Sequence, residues 1–299
     1  MPPLPIPRPT RRRLYPGLAW VLAAAAMAGT PGGAAPSPAT APGAPEPHPR
    51  FAVAGLRIQV TDLRAAERFY TRACGFEIVH GAGDGTGSVL RNGAVELHLR
   101  QAAKPAPAHY PGEAEIHVNF EVKSLAATLK DLAAAGVPTI EGSPQPAAIG
   151  TYVTIKDPAG NIHQLLELAK PKRPADRPTV FNLEIEVTDM KRARTFYVDR
   201  LGFEVETERF FPPTIPLRER GPAPLVLQET ARKTVPVDYP HDSRTIIQLA
   251  ARDPAVAAGV LAKAGVTLLP TAGGGGAVAF QDPFGNVFEL VPGPGVAGH

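Results

Sequence analysis

One unit is written twice along this chain. Residues 56–79, LRIQVTDLRAAERFYTRACGFEIV, align with 183–206, LEIEVTDMKRARTFYVDRLGFEVE, at a shift of 127 and with 11 of 24 positions identical. TYVTIKDPAGNIHQLL (151–166) matches GAVAFQDPFGNVFELV (276–291), and LAAAGV (132–137) matches LAKAGV (261–266). Blocks that recur in the same order define duplicated folding units, here 51–170 and 178–293. Residues 171–177 read as the linker, inside a stretch rich in proline and charge (AKPKRPADRPTV, 169–180), and 294–299 form a tail. Any architecture for this chain must therefore be assembled from two equivalent halves.

Each half reads as strand, helix and three strands, twice over. Ala54–Thr61 alternates, with Leu56, Ile58 and Val60 on one face. Asp62 is a helix N-cap, the helix runs to Cys74, and Gly75 sits where a C′ glycine belongs. Strands follow at Phe76–His80, Ser88–Arg91 and Ala94–Arg100, joined in part by the Asn92-Gly93 hairpin signal. Glu115–Val122 is the next strand. Ser124 caps a helix ending at Gly136, and the Asp157–Asn161 turn precedes the last strand. The fold class expected is α+β, with sheets covered by helices on one side.

The first fifty residues read differently. Residues 1–28 carry four arginines and no acidic residue, then an apolar run (Leu14–Ala25) and Ala26-Met27-Ala28, the layout of a cleavable signal peptide. The run is short for a bilayer span of about 20 residues, so no stable span is expected after cleavage. Thr10-Arg11-Arg12-Arg13-Leu14 leaves open a twin-arginine route beside the general secretory one. Residues 29–50, rich in Gly, Pro and Ala, read as a disordered tether. An exported protein, periplasmic or secreted, is expected. The net charge of +3 owes everything to the leader, because the remainder has 27 basic against 28 acidic residues. That removes the nucleic-acid reading. The single Cys74 excludes an intramolecular disulfide and a cysteine zinc site.

The VTDL-x-x-A-x-x-F-Y…G-F opening and the D-P-x-G-N-x-x-(E/Q)-L ending resemble the vicinal oxygen chelate superfamily, which holds glyoxalase I, bleomycin- and fosfomycin-resistance proteins and extradiol dioxygenases. The resemblance covers nearly all of 51–293. It implies tandem glyoxalase-like domains of two βαβββ modules each, forming curved, incomplete barrel sheets, with modules paired within halves or across them. It also implies a divalent metal (Ni, Zn, Mn or Fe) on the concave face in catalytic members, with ligands from the first and last strands of each module. Carried over by position, the first half supplies Gly55, which has no ligand atom, then Glu96, His117 and Gln164. The second supplies Asn182, Leu225, Ile246 and Glu289, of which only Glu289 matches. The weak metal set is thus Glu96, His117 and Gln164, with Glu289 and Asn182 insufficient by themselves.

Strand parity gives a reading of its own. Arg57, Gln59, Glu96, His98, His117, Asn119, Glu121 and Gln164 face away from the helix side, a polar set that reads as ligand-lined. His117, Glu96 and His98 are the candidates for acid–base work. His163 has the opposite parity. The second half offers Asn182, Glu184, Glu186 and Gln248 on its equivalent face and reads as a structural or substrate-shaping copy. The function expected is binding of a small polar or amphipathic molecule in the concave site. The alternatives are a metal-dependent lyase, isomerase or dioxygenase, and a structural pseudo-enzyme. A monomer of two domains or a homodimer is expected.

Overall fold

The computed structural model describes residues 51–81, 87–101, 116–171, 176–207, 214–218, 220–233, 239, 244–270 and 278–293. The leader, tether and tail read from the sequence lie outside these residues. The first half runs β1 (Ala52–Val60), α1 (Leu63–Arg72), β2 (Glu77–His80), β3 (Gly87–Asn92), β4 (Val95–Gln101), then β5 (Ile116–Glu121), α2 (Leu125–Ala134), β6 (Gln145–Ala147), β7 (Gly150–Lys156) and β8 (Ile162–Leu168). The second half repeats the plan: β9 (Thr179–Val187), α3 (Met190–Arg194, prolonged by a π turn over Thr195–Arg200), β10 (Thr214–Pro216) and β11 (Leu225–Glu229). It closes with β12 (Ile246–Ala251), α4 (Pro254–Lys263), β13 (Thr267–Leu269), β14 (Val278–Gln281) and β15 (Val287–Pro292).

The repeated VTD triplet works the same way in both halves. Its valine ends a strand, and its aspartate turns the chain into a helix by accepting a backbone N–H: Asp62 Oδ1 from Ala65 at 2.8 Å, Asp189 Oδ1 from Arg192 at 2.9 Å. Ser124 and Asp253 cap the other two helices. Gly75 ends the first helix at a φ of +70°, with the Pro178 carbonyl so close that no side chain could stand there.

Two sheets result. The first has eight strands in the order β13-β14-β15-β12-β1-β4-β3-β2, and the second seven, β10-β11-β9-β5-β8-β7-β6. The pairing left open by the sequence is across halves. The opening module of the first half joins the closing module of the second along β1 and β12, and the two inner modules join along β5 and β9. Chain length explains the inner seam. The ten residues between β8 and β9 suffice to return the chain antiparallel to β5, at up to ~3.3 Å per residue. Helix-side residues from both sheets share one apolar cluster that includes Leu56, Ile58, Val60, Val118, Phe120, Leu183, Ile185, Ile247 and Leu249. Cys74 lies buried within it, its thiol pushed up by burial and by the charge of Asp157, which leaves it a small packing residue.

A buried hydrogen bond ties the two modules of each half together. Tyr70, on α1, donates to Asp157 Oδ2 at 2.7 Å, and Tyr197 donates to Asp282 Oδ2 at 2.6 Å. Each aspartate also holds its own turn, accepting from the backbone of Asn161 or Asn286 through Oδ1. The F-Y and D-P-x-G-N motifs recur together because each is half of one contact. Tyr70→Phe should cost about 1.5–3 kcal/mol in urea unfolding, since the buried carboxyl loses a charge-assisted donor, and Tyr197→Phe should cost a similar amount.

Candidate binding site on the second sheet

Strands β5 and β9 are buried along nearly their whole length on both faces. Their helix-side residues are apolar; their other residues are not. One rung across β7, β8, β5 and β9 reads Thr154, Gln164, Asn119, Asn182. The next sets His117 beside Glu184 and Val226, and a third sets Glu186 beside Gln228 and Thr214. All of these polar residues are buried.

The hydrogen bonds inside this face are incomplete. Asn119 Nδ2 donates to Asn182 Oδ1 at 2.8 Å and to Glu184 Oε2 at 3.2 Å. Arg232 NH1 donates to both oxygens of Glu186, at 2.8 and 2.9 Å. Among the described residues, Gln164 Oε1, Asn119 Oδ1, Asn182 Nδ2, Thr154 Oγ1, Gln228 Oε1 and Glu184 Oε1 are buried without a hydrogen-bond partner. Leaving a buried polar atom unpaired costs about 1–3 kcal/mol, so six gathered on one face mark a place built to meet a ligand or ordered water. Tyr152, Leu166, Leu168 and Val226 form an apolar cluster along the same sheet, with Phe181 and Ile149 packed on it.

The charges are held down. Burial, and then the charge of Glu186, push the Glu184 carboxyl up to about 8, so it is protonated at neutral pH. Burial, with Arg232 and His163 adding to it, holds His117 well below the usual imidazole range. The 3.8 Å approach of His117 Nδ1 to Glu184 Oε1 is thus a contact between neutral groups rather than an ion pair. Glu186 lies opposite Arg232, whose NH1 donates to both its oxygens.

The residues expected to share one concave site are divided between the two sheets. His117, Asn119, Glu121 and Gln164 belong to the second; Arg57, Gln59, Glu96 and His98 belong to the first. The set Glu96, His117 and Gln164 is therefore corrected. Strand β4 pairs with β1 and never meets β5 or β8, so Glu96 stands apart from the other two. Glu289 and Asn182 are divided in the same way, on β15 of the first sheet and β9 of the second. His98 Nε2 lies 3.7 Å from Glu96 Oε2 on the first sheet, half-buried and lowered chiefly by desolvation. Arg91 donates to Glu96 at 2.6 Å and holds that carboxyl below its ordinary value. Gln59 pairs in register with Arg100, near the end of the same seam. His163 faces the helix layer, its Nε2 3.0 Å from the Tyr70 hydroxyl, and burial takes it to about 3.

Register separates two of the carried-over positions from the others. Asn119, not His117, shares a rung with Asn182 and Gln164. Gln248, not Ile246, shares one with Gly55, Glu96 and Glu289. Leu225 pairs with Leu183 in the helix-side core and offers nothing to the concave face. The partners that sequence reasoning did not join to His117 are Glu184 and Glu186, legible on the equivalent face of the other half, and Arg232, which had no signal beyond a basic residue after a strand.

His117, Glu184 and Glu186 bring one ligand atom each within 4.8 Å of the others. A bound divalent ion needs donors at about 2.0–2.2 Å, which puts neighbouring donors roughly 3–4 Å apart; a separation of up to 4.8 Å is somewhat wider than that. The guanidinium of Arg232 already takes both oxygens of Glu186, however, so the set accepts a cation only if that pair opens.

Comparison with known proteins agrees with the fold. The model of the Glyoxalase/Bleomycin resistance protein/Dioxygenase superfamily matches residues 50–165, and that of a glyoxalase-like domain matches 182–291. The chain belongs to this superfamily, the vicinal oxygen chelate proteins, and carries its domain twice. Similar solved structures include glyoxalase I from Zea mays (16% identity, 81% of this chain and 92% of that one, TM-score 0.56) and its V278E variant (16%, 82% and 93%, 0.58). A protein of Bacillus subtilis subsp. subtilis str. 168 titled "putative dioxygenase" aligns over 83% of this chain and 86% of its own, at 14% identity and a TM-score of 0.57. At such identities the likeness is one of fold. No curated protein matches the sequence.

Glu184 gives the site a pH signature. Between the ordinary carboxylate value and about 8 the unfolded chain ionises this group and the folded chain does not, so stability falls as pH rises through that window. Glu184→Gln removes the loss. Thermal melts should show the variant gaining roughly 3–10 °C over wild type at pH 8, with the gain gone by pH 4.

Proposed function

We propose that the protein binds a small, uncharged, amphipathic molecule on the concave face of the second sheet, without a metal. The observation that carries this reading is the buried rung Thr154, Gln164, Asn119 and Asn182, whose unpaired donors and acceptors stand beside an apolar patch. Amides and a hydroxyl present both donors and acceptors and no net charge, which matches hydroxyl or amide groups on a ligand. The neighbouring ionisable groups add no free charge. Glu184 is protonated, His117 is neutral, and Glu186 is paired. A ligand with a polar head and an apolar body would satisfy the rung and pack against Tyr152, Leu166 and Val226, which are buried already.

A second reading has one observation in its favour. His117, Glu184 and Glu186 converge closely enough to hold Ni, Zn, Mn or Fe, and a metal there would supply Lewis-acid chemistry to a substrate with vicinal oxygens. In that case His117 would ligate as the neutral imidazole and Arg232 would have to release Glu186.

We infer export as well: residues 1–28 read as a cleavable leader and 29–50 as a tether, and a protein built so would meet its ligand outside the cytoplasm. No helix among the described residues is long and apolar enough to cross a membrane.

A thermal-shift screen of neutral phenols, hydroxylated aromatics and aryl amides against the dialysed protein tests the proposal. A hit should raise the Tm of wild type and of Glu96→Ala, and lose at least tenfold in affinity in Asn119→Leu and Gln164→Leu. Near-stoichiometric metal after dialysis, lost in His117→Ala and Glu184→Ala, would instead establish the second reading.

A further inference from the structure

The first sheet carries its own polar rung. Glu96, Gly55, Gln248 and Glu289 lie in register across β4, β1, β12 and β15. The resemblance would place metal ligands there, but the donors present are committed elsewhere. Gly55 has no donor, and a Cβ in its place would sit 2.8 Å from the Glu96 carbonyl oxygen. Arg91 takes Glu96 at 2.6 Å. Glu289, only 2% exposed, has both oxygens occupied. Arg57 NH2 stands 2.7 Å from Oε1 as an ion pair outside hydrogen-bond geometry, the Tyr239 hydroxyl donates to Oε1 at 2.9 Å, and Gln248 Nε2 donates to Oε2 at 3.2 Å. The Arg57 guanidinium is itself fixed 5.4 Å over the Tyr239 ring, an aromatic face that favours a cation.

We propose that Arg57 is a resident cation: it supplies to Glu289 the positive charge that a divalent ion would otherwise bring, and so makes this face a metal-independent clasp between the two halves of the chain. Arg57 belongs to β1 and Glu289 to β15, so the pair spans the seam that β1 makes with β12. Arginine suits the task because its charge survives burial and its planar head can meet a carboxylate and a ring at once. On the second sheet Arg232 also pairs with a carboxylate, Glu186, but within one half. This inference concerns the first sheet and does not depend on what the second one binds.

Thermal melts of the full chain at pH 7, with EDTA or with millimolar Mn2+, test it in four proteins: wild type, Arg57→Met, Glu289→Gln and Arg57→Met/Glu289→Gln. Arg57→Met strands a buried carboxylate and should lose roughly 5–10 °C in EDTA. Mn2+ should restore part of that loss, beyond any shift it gives wild type. The double variant should melt near wild type and respond to Mn2+ only as wild type does. If the single variant fails to fold, the double variant alone decides: a near-wild-type melt supports the clasp, and a poor one shows that Arg57 acts by packing. A Mn2+ response in Arg57→Met no larger than in wild type overturns the proposal. So does a divalent ion that wild type keeps through dialysis and Glu289→Gln loses.

Discussion

The buried tyrosine–aspartate hydrogen bond in each half is the contact on which the arrangement of the two faces rests. Each half gives one module to each sheet, so no sheet belongs to either half alone. Tyr70 reaches from α1, over the first sheet, to Asp157 at the β7–β8 turn of the second, and Tyr197 reaches from α3 to Asp282 in the opposite sense. Desolvation raises both aspartates and both tyrosines, while the bonds between them favour the ionised carboxylates. A pair of this kind is specific in geometry and costly to break, which suits a joint between layers. The rungs on the concave faces are held at one remove by it, through the strands that the turns and helices anchor.

Legibility in the sequence followed the motifs. Four of the carried-over positions share rungs: Gly55 and Asn182 lie seven residues before their capping aspartates, and Gln164 and Glu289 seven after their turn aspartates. The middle strands obey the same count, with His117 and Ile246 seven residues before the caps Ser124 and Asp253, yet they fall off these rungs. Strand β5 also carries a bulge between Asn119 and Phe120, and the reading there fell on His117, one rung away. Alternation still gave the correct face for Arg57, Glu96, His117 and Asn119, because a period of two depends only on the strand itself.

Pairing across halves was not legible, because it changes no residue's face. Either arrangement buries the same apolar side of β1, β5, β9 and β12, so the hydrophobic pattern is silent on the choice. That silence hid the site's charge partners. Glu184 and Glu186 read as members of a quiet second copy, yet they stand opposite His117 once β5 and β9 are joined.

The duplicated faces have diverged by the way each treats charge. On the first sheet Glu96 and His98 keep partial contact with water, and opposite charges pair there at modest cost, while buried Glu289 is met by Arg57. On the second, the rung is buried and its carboxyl group at Glu184 answers by protonation. A charged ligand entering the second face would meet a low-dielectric surface on which Arg232 is already paired, and would forfeit hydration. A neutral ligand forfeits far less, and its hydroxyl or amide groups meet Gln164, Asn119 and Asn182 with their unused hydrogen-bonding capacity. On the proposed reading, selectivity for uncharged molecules would follow from burial of the site itself, before any shape complementarity is considered.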